Sequence, residues 1–270
     1  MILGQITDLH IRALGRLAYR VVDTTGALRR CVGAILALPE RPDVMVITGD
    51  MVDSGRAEDY ALLRELLAPL TMPMYMIPGN HDDREVLRAA FPEQTYLQGT
   101  NELIEYVIED HPLRIIGLDT VIRGAAGGRL SNASISWLDR TLGQAPDRPT
   151  VVLMHHPPFR TGIGHMDDVG LETSWRLREV LERHPQVERI LCGHLHRPIQ
   201  VRYGRTIAST CPSPAHQVVL DLRENAPSHF VMEPGAFQLH VLRDGTLVSH
   251  TAYTGEFDGP YSFVEDDPDE

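Results

Sequence analysis

The feature that most constrains this chain is a series of five short polar motifs, each placed directly after an apolar run of strand length. They are Asp8-Leu9-His10, Gly49-Asp50, Gly79-Asn80-His81-Asp82, His155-His156-Pro157-Pro158 and Gly193-His194-Leu195-His196. Open α/β sheets bind their ligands beyond the carboxyl ends of the strands. A chain that repeats the strand-then-polar arrangement five times is therefore expected to gather these side chains along one edge of its sheets.

The sequence between the motifs fits that frame. Ile2 to Thr7 reads as a strand, and Ala27, Leu28, Cys31, Val32, Ile35 and Leu36 recur at the spacing of one helix face. A strand at Val44 to Thr48, a helix over about residues 58–70 and a strand at Met74 to Ile77 complete a βαβαβ order. Residues 102–108 and 113–118 read as a hairpin turning at Asp110-His111-Pro112. A helix near 134–142, a strand at 150–154, a long loop through Gly162 and Gly164, a helix over 174–183 and a strand at 187–192 follow. Beyond residue 198 the pattern becomes short strands with turns at Gly204-Arg205 and Asp244-Gly245. The expectation is a layered α/β fold of two sheets flanked by helices. Residues 1–198 form its catalytic core, 199–255 a small β-rich extension, and 256–270 an acidic tail expected to be disordered.

Composition narrows the chemistry. All 25 basic residues are arginine, so a Walker-A lysine and a Schiff-base lysine are excluded. The formal charge of -12, with arginines scattered rather than clustered, argues against a nucleic-acid polymer as partner. No apolar run approaches the ~18 residues of a membrane span. With no basic leader before the first motif and three cysteines (Cys31, Cys192, Cys211) outside any CxxC pair, a cytoplasmic protein with free thiols is expected.

Residues two apart in an extended segment point the same way, so Asp8 with His10, and His194 with His196, are each expected to reach one cavity. Glycines before Asp50, Asn80 and His194 permit tight turns at the strand ends. Carboxylate, imidazole and amide donors without thiolate suit divalent ions such as Mn, Fe, Co or Zn. Seven ligand candidates, Asp8, His10, Asp50, Asn80, His155, His194 and His196, exceed the needs of one catalytic ion and suit two sharing a carboxylate, for which Asp50 is the central choice. Four positive charges from two ions, less three from Asp8, Asp50 and a hydroxide, leave a cationic spot attractive to a phosphate.

These motifs, in this order, resemble the calcineurin-like metallophosphoesterases, and within them the class III cyclic nucleotide phosphodiesterases and bacterial glycerophosphodiesterases. His-His-Pro-Pro and the passage from Ile207-Ala208-Ser209-Thr210 to His216-Gln217-Val218 add to the likeness, which runs to about residue 255. The resemblance implies a four-layer α/β/β/α sandwich with two mixed sheets. It assigns Asp8, His10, Asp50 and His196 to one metal and Asp50, Asn80, His155 and His194 to the other, with His81 beside the phosphate. It implies in-line hydrolysis of a small phosphodiester by a metal-bridging hydroxide, and a homo-oligomer. A phosphomonoesterase and a non-catalytic scaffold of the same fold are the alternatives.

His81 is read as the donor to the leaving group, and His156, whose neighbour faces the metals, as its support. Cys192 is expected to be a buried structural thiol, and Trp137 and Trp175 core residues. Tyr19, Asp53, His165 and His216 are candidates for the pocket wall.

Overall fold

The computed structural model describes residues 1–13, 15–99 and 101–263. Residues 264–270 of the acidic tail expected from 256 lie outside the described residues. Five strands form a first sheet in the order β13-β12-β1-β2-β3: β1 (Ile2–Ile6), β2 (Val44–Thr48) and β3 (Met74–Ile77) run parallel, while β12 (Ala236–Arg243) and β13 (Thr246–Tyr253) run antiparallel to their neighbours. A second sheet of six strands has the order β4-β5-β6-β7-β9-β8, with β5 (Arg114–Gly117), β6 (Thr150–Leu153), β7 (Val187–Cys192) and β9 (Thr206–Thr210) parallel. Its edge strands, β4 (Tyr106–Ile108) and β8 (Ile199–Tyr203), are antiparallel. Two-residue strands β10 (Gln217–Val218) and β11 (Phe230–Val231) pair on their own.

Burial explains the layering. All five residues of β2 and all four of β6 are buried, as expected of parallel strands covered on both faces. One apolar cluster joins Leu28, Cys31 and Ile35 of α1 (Thr24–Leu36) and Leu63 of α2 (Ala57–Leu67) to the first sheet and to Val151, Leu153 and Leu191 of the second. Another packs Leu138 and Leu142 of α4 (Asn132–Gly143) and Leu177 and Leu181 of α6 (Ser174–Arg183) on the far face of the second sheet. The result is the α/β/β/α sandwich with two mixed sheets.

Three expectations need correction. The strands after residue 198 are not uniformly short: β12 and β13 have eight residues each, and β12 lies against β1, joining the two ends of the described chain. A helix not anticipated, α3 (Arg84–Ala90), starts where the Asp83 carboxylate caps the amides of Glu85 and Val86. Trp175 is 57 % exposed, so it is no core residue; the Arg176 guanidinium lies over its ring, whereas Trp137 packs against the second cluster as expected. Among the described residues no helix is long and apolar enough to cross a membrane.

Candidate metal centre

The five motifs converge at the carboxyl ends of β1, β2, β3, β6 and β7. The loop after β1 is zipped to the loop after β2 by backbone bonds from Asp8 N to Gly49 O and from His10 N to Asp50 O, both 3.0 Å. Gly49 has φ +95°, open to glycine alone at low cost, and at Gly79 a Cβ would stand 2.3 Å from the Asp50 amide nitrogen. The first glycine thus supplies a turn, and the second a close approach of two loops.

Asp8, His10, Asp50, His194 and His196 all have left-handed backbone, with φ between 44 and 70°. The extended geometry expected for the two paired motifs is therefore replaced by a tighter turn, with Leu9 and Leu195 buried between the donors. One consequence is that His194 and His196 part company. His196 Nε2 lies 3.2 Å from His10 Nε2 and 3.4 Å from Asp8 Oδ1, whereas the His194 ring lies 5.1 Å from that of His155. His155 Nε2 in turn is 3.1 Å from Asn80 Oδ1.

Asp50 stands between the two groups. Its Oδ1 accepts the His81 amide at 2.8 Å, leaving Oδ2 at 3.4 Å from His155 Nε2 and 3.7 Å from His10 Nε2. The donor atoms of Asp8, His10 and His196, and those of Asp8, Asp50 and His155, lie within 4.8 Å of one another.

The hydrogen bonds on the far side of each ring fix which nitrogen is free. A carbonyl can only accept, so His155 Nδ1 donates to Thr48 O (2.8 Å), His194 Nε2 to Val169 O (3.1 Å) and His196 Nδ1 to His216 O (3.1 Å). Each then turns its other nitrogen inward, where it offers a lone pair once unprotonated, as metal-ligating histidines do when a partner holds the far nitrogen. His196 turns its unprotonated Nε2 toward His10 Nε2, and His155 Nε2 faces both an amide oxygen and the Asp50 carboxylate. A cation among these facing groups would take the place of the protons that join them without it, so the donor set fits divalent ions.

In the metal-free site the rings divide: burial opposes protonation of all four, but the neighbouring Asp50 lifts His155 to about 9, and Asp53 with Asp50 raises His10. Burial, with the nearby His155, pushes the His194 imidazole down to about 3, and burial likewise holds His196 well below its usual range. Burial lifts the Asp8 carboxyl to about 6, with Asp50 adding to the rise. For Asp50 burial acts in the same direction, but His155, His81 and His10 together outweigh it and keep the carboxyl well below the carboxylate range. His156 falls with His155 and His194 in a third group of close donor atoms, but both its nitrogens are engaged: Nε2 donates to Ala126 O at 3.0 Å and Nδ1 accepts from Thr120 Oγ1 at 2.8 Å.

Above the cluster is a cavity of about 370 Å³, walled by Tyr19, His81, His165, His216 and Phe230. Tyr19, His216 and Phe230 form an aromatic group with ring centres 5.2 to 5.4 Å apart. Asp53 lies behind His10 and His81 rather than in the wall. Cys192 is wholly buried, its thiol pushed far up by burial. Sequence reasoning left out Phe230 and the Tyr60 hydroxyl, which donates to Asp82 Oδ1 at 2.9 Å; a tyrosine on an apolar helix face gives no sign that its hydroxyl serves a loop.

The sequence profile described as calcineurin-like phosphoesterase matches residues 1–198. The chain belongs to that family. Membership implies divalent metal ions at this centre. The phosphoesterase is 42 % identical to a probable glycerophosphodiester phosphodiesterase of Arcobacter nitrofigilis, over 98 % of both chains. It is 32 % identical to a 3′,5′-cyclic adenosine monophosphate phosphodiesterase of Pseudomonas aeruginosa, over 78 % of this chain and 76 % of the other. A dimetal phosphatase from Danio rerio shares its fold with a TM-score of 0.68 at 16 % identity, covering 95 % of this chain and 97 % of that one.

Proposed function

We propose that this phosphoesterase hydrolyses small phosphodiesters at a dinuclear metal centre, with glycerophosphodiesters as the leading substrates and cyclic nucleotides next. The observation that carries the proposal is the pair of donor groups meeting at Asp50 Oδ2 on the floor of the cavity. Likeness over nearly the whole chain to a probable glycerophosphodiester phosphodiesterase supports the order of substrates. In this reading Asp8, His10, Asp50 and His196 hold one ion, and Asp50, Asn80, His155 and His194 the other. The donor set suits Mn, Fe, Co or Zn.

Bound there, the ions would activate water for attack on phosphorus and neutralise charge building on the phosphoryl oxygens. His81 is built for a further task. Its Nδ1 donates to the Asp53 carbonyl at 2.9 Å, which leaves Nε2 for the cavity, where the ring in its doubly protonated form can give a proton to the departing alkoxide. Tyr19, His216 and Phe230 offer flat faces to an ester arm. Three buried, unpaired cysteines suit a cytoplasmic setting, and exposed Leu220, Leu222 and Met232 suit a homo-oligomer.

One observation favours a second reading, a phosphomonoesterase. Arg123 lines an adjoining cleft that shares Asn80, where it could meet the extra charge of a monoester. The test supplies Mn, Co, Zn and Fe separately and compares glycerophosphodiesters, cyclic AMP and 2′,3′-cyclic nucleotides with alkyl and aryl monoesters. Turnover of diesters well above monoesters is expected; a metal-loaded protein that cleaves no diester refutes the proposal.

A further inference from the structure

Three of the four ring histidines at the centre, His155, His194 and His196, rest their outer nitrogen on a backbone carbonyl. A side-chain substitution cannot remove such a partner. His10 differs. Its Nδ1 is fully buried with no hydrogen-bond partner, and the acceptor facing it is a side chain, Asp53 Oδ1, at 3.5 Å. The same oxygen stands 4.0 Å from His81 Nδ1, and the other, Oδ2, is 3.4 Å from Arg12 Nη1. The backbone around Asp53 is pinned to the His10 loop by its own amide, which donates to Ile11 O at 3.2 Å.

We infer that Asp53 is a positioning residue: its carboxylate, steadied by Arg12, orients His10 and fixes the proton on Nδ1, so that Nε2 is held ready for a metal ion. This rests on the proposed dinuclear reading. The physical logic is that of a carboxylate–histidine–metal chain, in which the outer carboxylate sets the ring's tautomer and raises the basicity of the ligating nitrogen. A shortening of only a few tenths of an ångström would turn the 3.5 Å contact into a charge-assisted hydrogen bond. A separate cation held by His10, Asp53 and His81 is the competing explanation of this cluster. It is opposed by the commitment of His81 Nδ1, as a donor, to the Asp53 carbonyl.

The inference also separates the two ions. Asp53 touches His10 alone among the ligand candidates, so its removal should weaken the ion held by Asp8, His10 and His196 and spare the one held by Asn80, His155 and His194. The effect expected of such a partner is roughly a 10- to 100-fold loss of affinity.

The experiment loads wild type, Asp53→Asn and Arg12→Ala with Mn and dialyses each against graded EDTA, following bound metal and the melting temperature of the metal-free protein. Asp53→Asn is nearly isosteric and leaves the carbonyl that holds His81 in place. One equivalent of Mn should leave Asp53→Asn at roughly tenfold or more lower chelator than in wild type, the second leaving as in wild type; Arg12→Ala should show a smaller change of the same kind. The metal-free melting temperatures should agree. Equal retention of both ions in Asp53→Asn would overturn the inference, and so would equal weakening of both. A wild-type protein that binds fewer than two ions would instead remove the dinuclear reading beneath it.

Discussion

Tyr60 reaches the site from a helix and touches none of the candidate ligands. Its ring is fully buried on α2; its hydroxyl donates to Asp82 Oδ1 at 2.9 Å and accepts from the Asp83 amide at 3.2 Å. Asp82 in turn ties two loops together. It accepts from Met51 N (3.2 Å) and Val52 N (3.3 Å) after β2, and from Gly79 N (2.8 Å) after β3. Burial, with Asp50 close by, lifts the Asp82 carboxyl to about 6, so at pH 8 it is a buried anion held by its donors. Tyr60→Phe removes one hydrogen bond to that anion, worth roughly 1.5–3 kcal/mol, and strands the Asp83 amide at about 1 kcal/mol more. The ring remains, so no cavity opens. The expected loss is about 3 kcal/mol, measured by urea unfolding of the metal-free protein at pH 8, with the dependence on urea unchanged. Metal held through Asn80 should also bind more weakly. A change under about 0.5 kcal/mol would show that the hydroxyl is dispensable and that Asp82 is held by the amides alone.

Asp50→Ala should abolish diester hydrolysis and lower metal content at both sites, since Oδ2 faces both donor groups; a variant that keeps two tightly bound ions would remove Asp50 from the bridging role. His81→Ala should slow alkyl diesters by about 10²- to 10⁴-fold while sparing bis(nitrophenyl) phosphate, whose leaving group scarcely needs a proton. Equal losses on both substrates would assign His81 to phosphate orientation instead. Burial, aided by Arg189 and His250, pushes His240 down to about 3, so it stays neutral in the fold while the unfolded chain takes up a proton near 6.5. Its contribution is complete above 6.5 and is lost as pH falls toward 3, about 2 kcal/mol between pH 7.5 and 5. Unfolding curves of His240→Gln should be flatter over that range, and an unchanged slope would implicate other groups.

The parts of the fold legible in the sequence were those with strong periodicity. β2 and β6 are almost continuous apolar runs, β7 ends on Ile190, Leu191 and Cys192, and α6 shows its buried Leu177, Val180 and Leu181 at three-to-four spacing. The pairing of β12 with β1 was not legible, because partners some 235 residues apart leave no local trace. At the site, residue types carried the chemistry but not the backbone. Left-handed turns at Asp8 and His196 depend on the packing of neighbouring loops, which no local pattern of aspartate or histidine reveals. The same holds for partners supplied by the main chain, such as the carbonyls of Val169 and His216, which look like nothing in a sequence.

The left-handed turns also bear on how this protein would respond to selection. Each non-glycine residue held there costs on the order of 1 kcal/mol or more, and five such residues carry the proposed ligands. Glycine or asparagine at His10 or His196 would relax the backbone, a gain in the metal-free state. Heat-resistant variants recovered without an activity screen should therefore concentrate at these positions and be inactive. Directed evolution for robustness would need metal in the growth medium and turnover as a filter, because here durability and catalysis compete for the same few torsion angles.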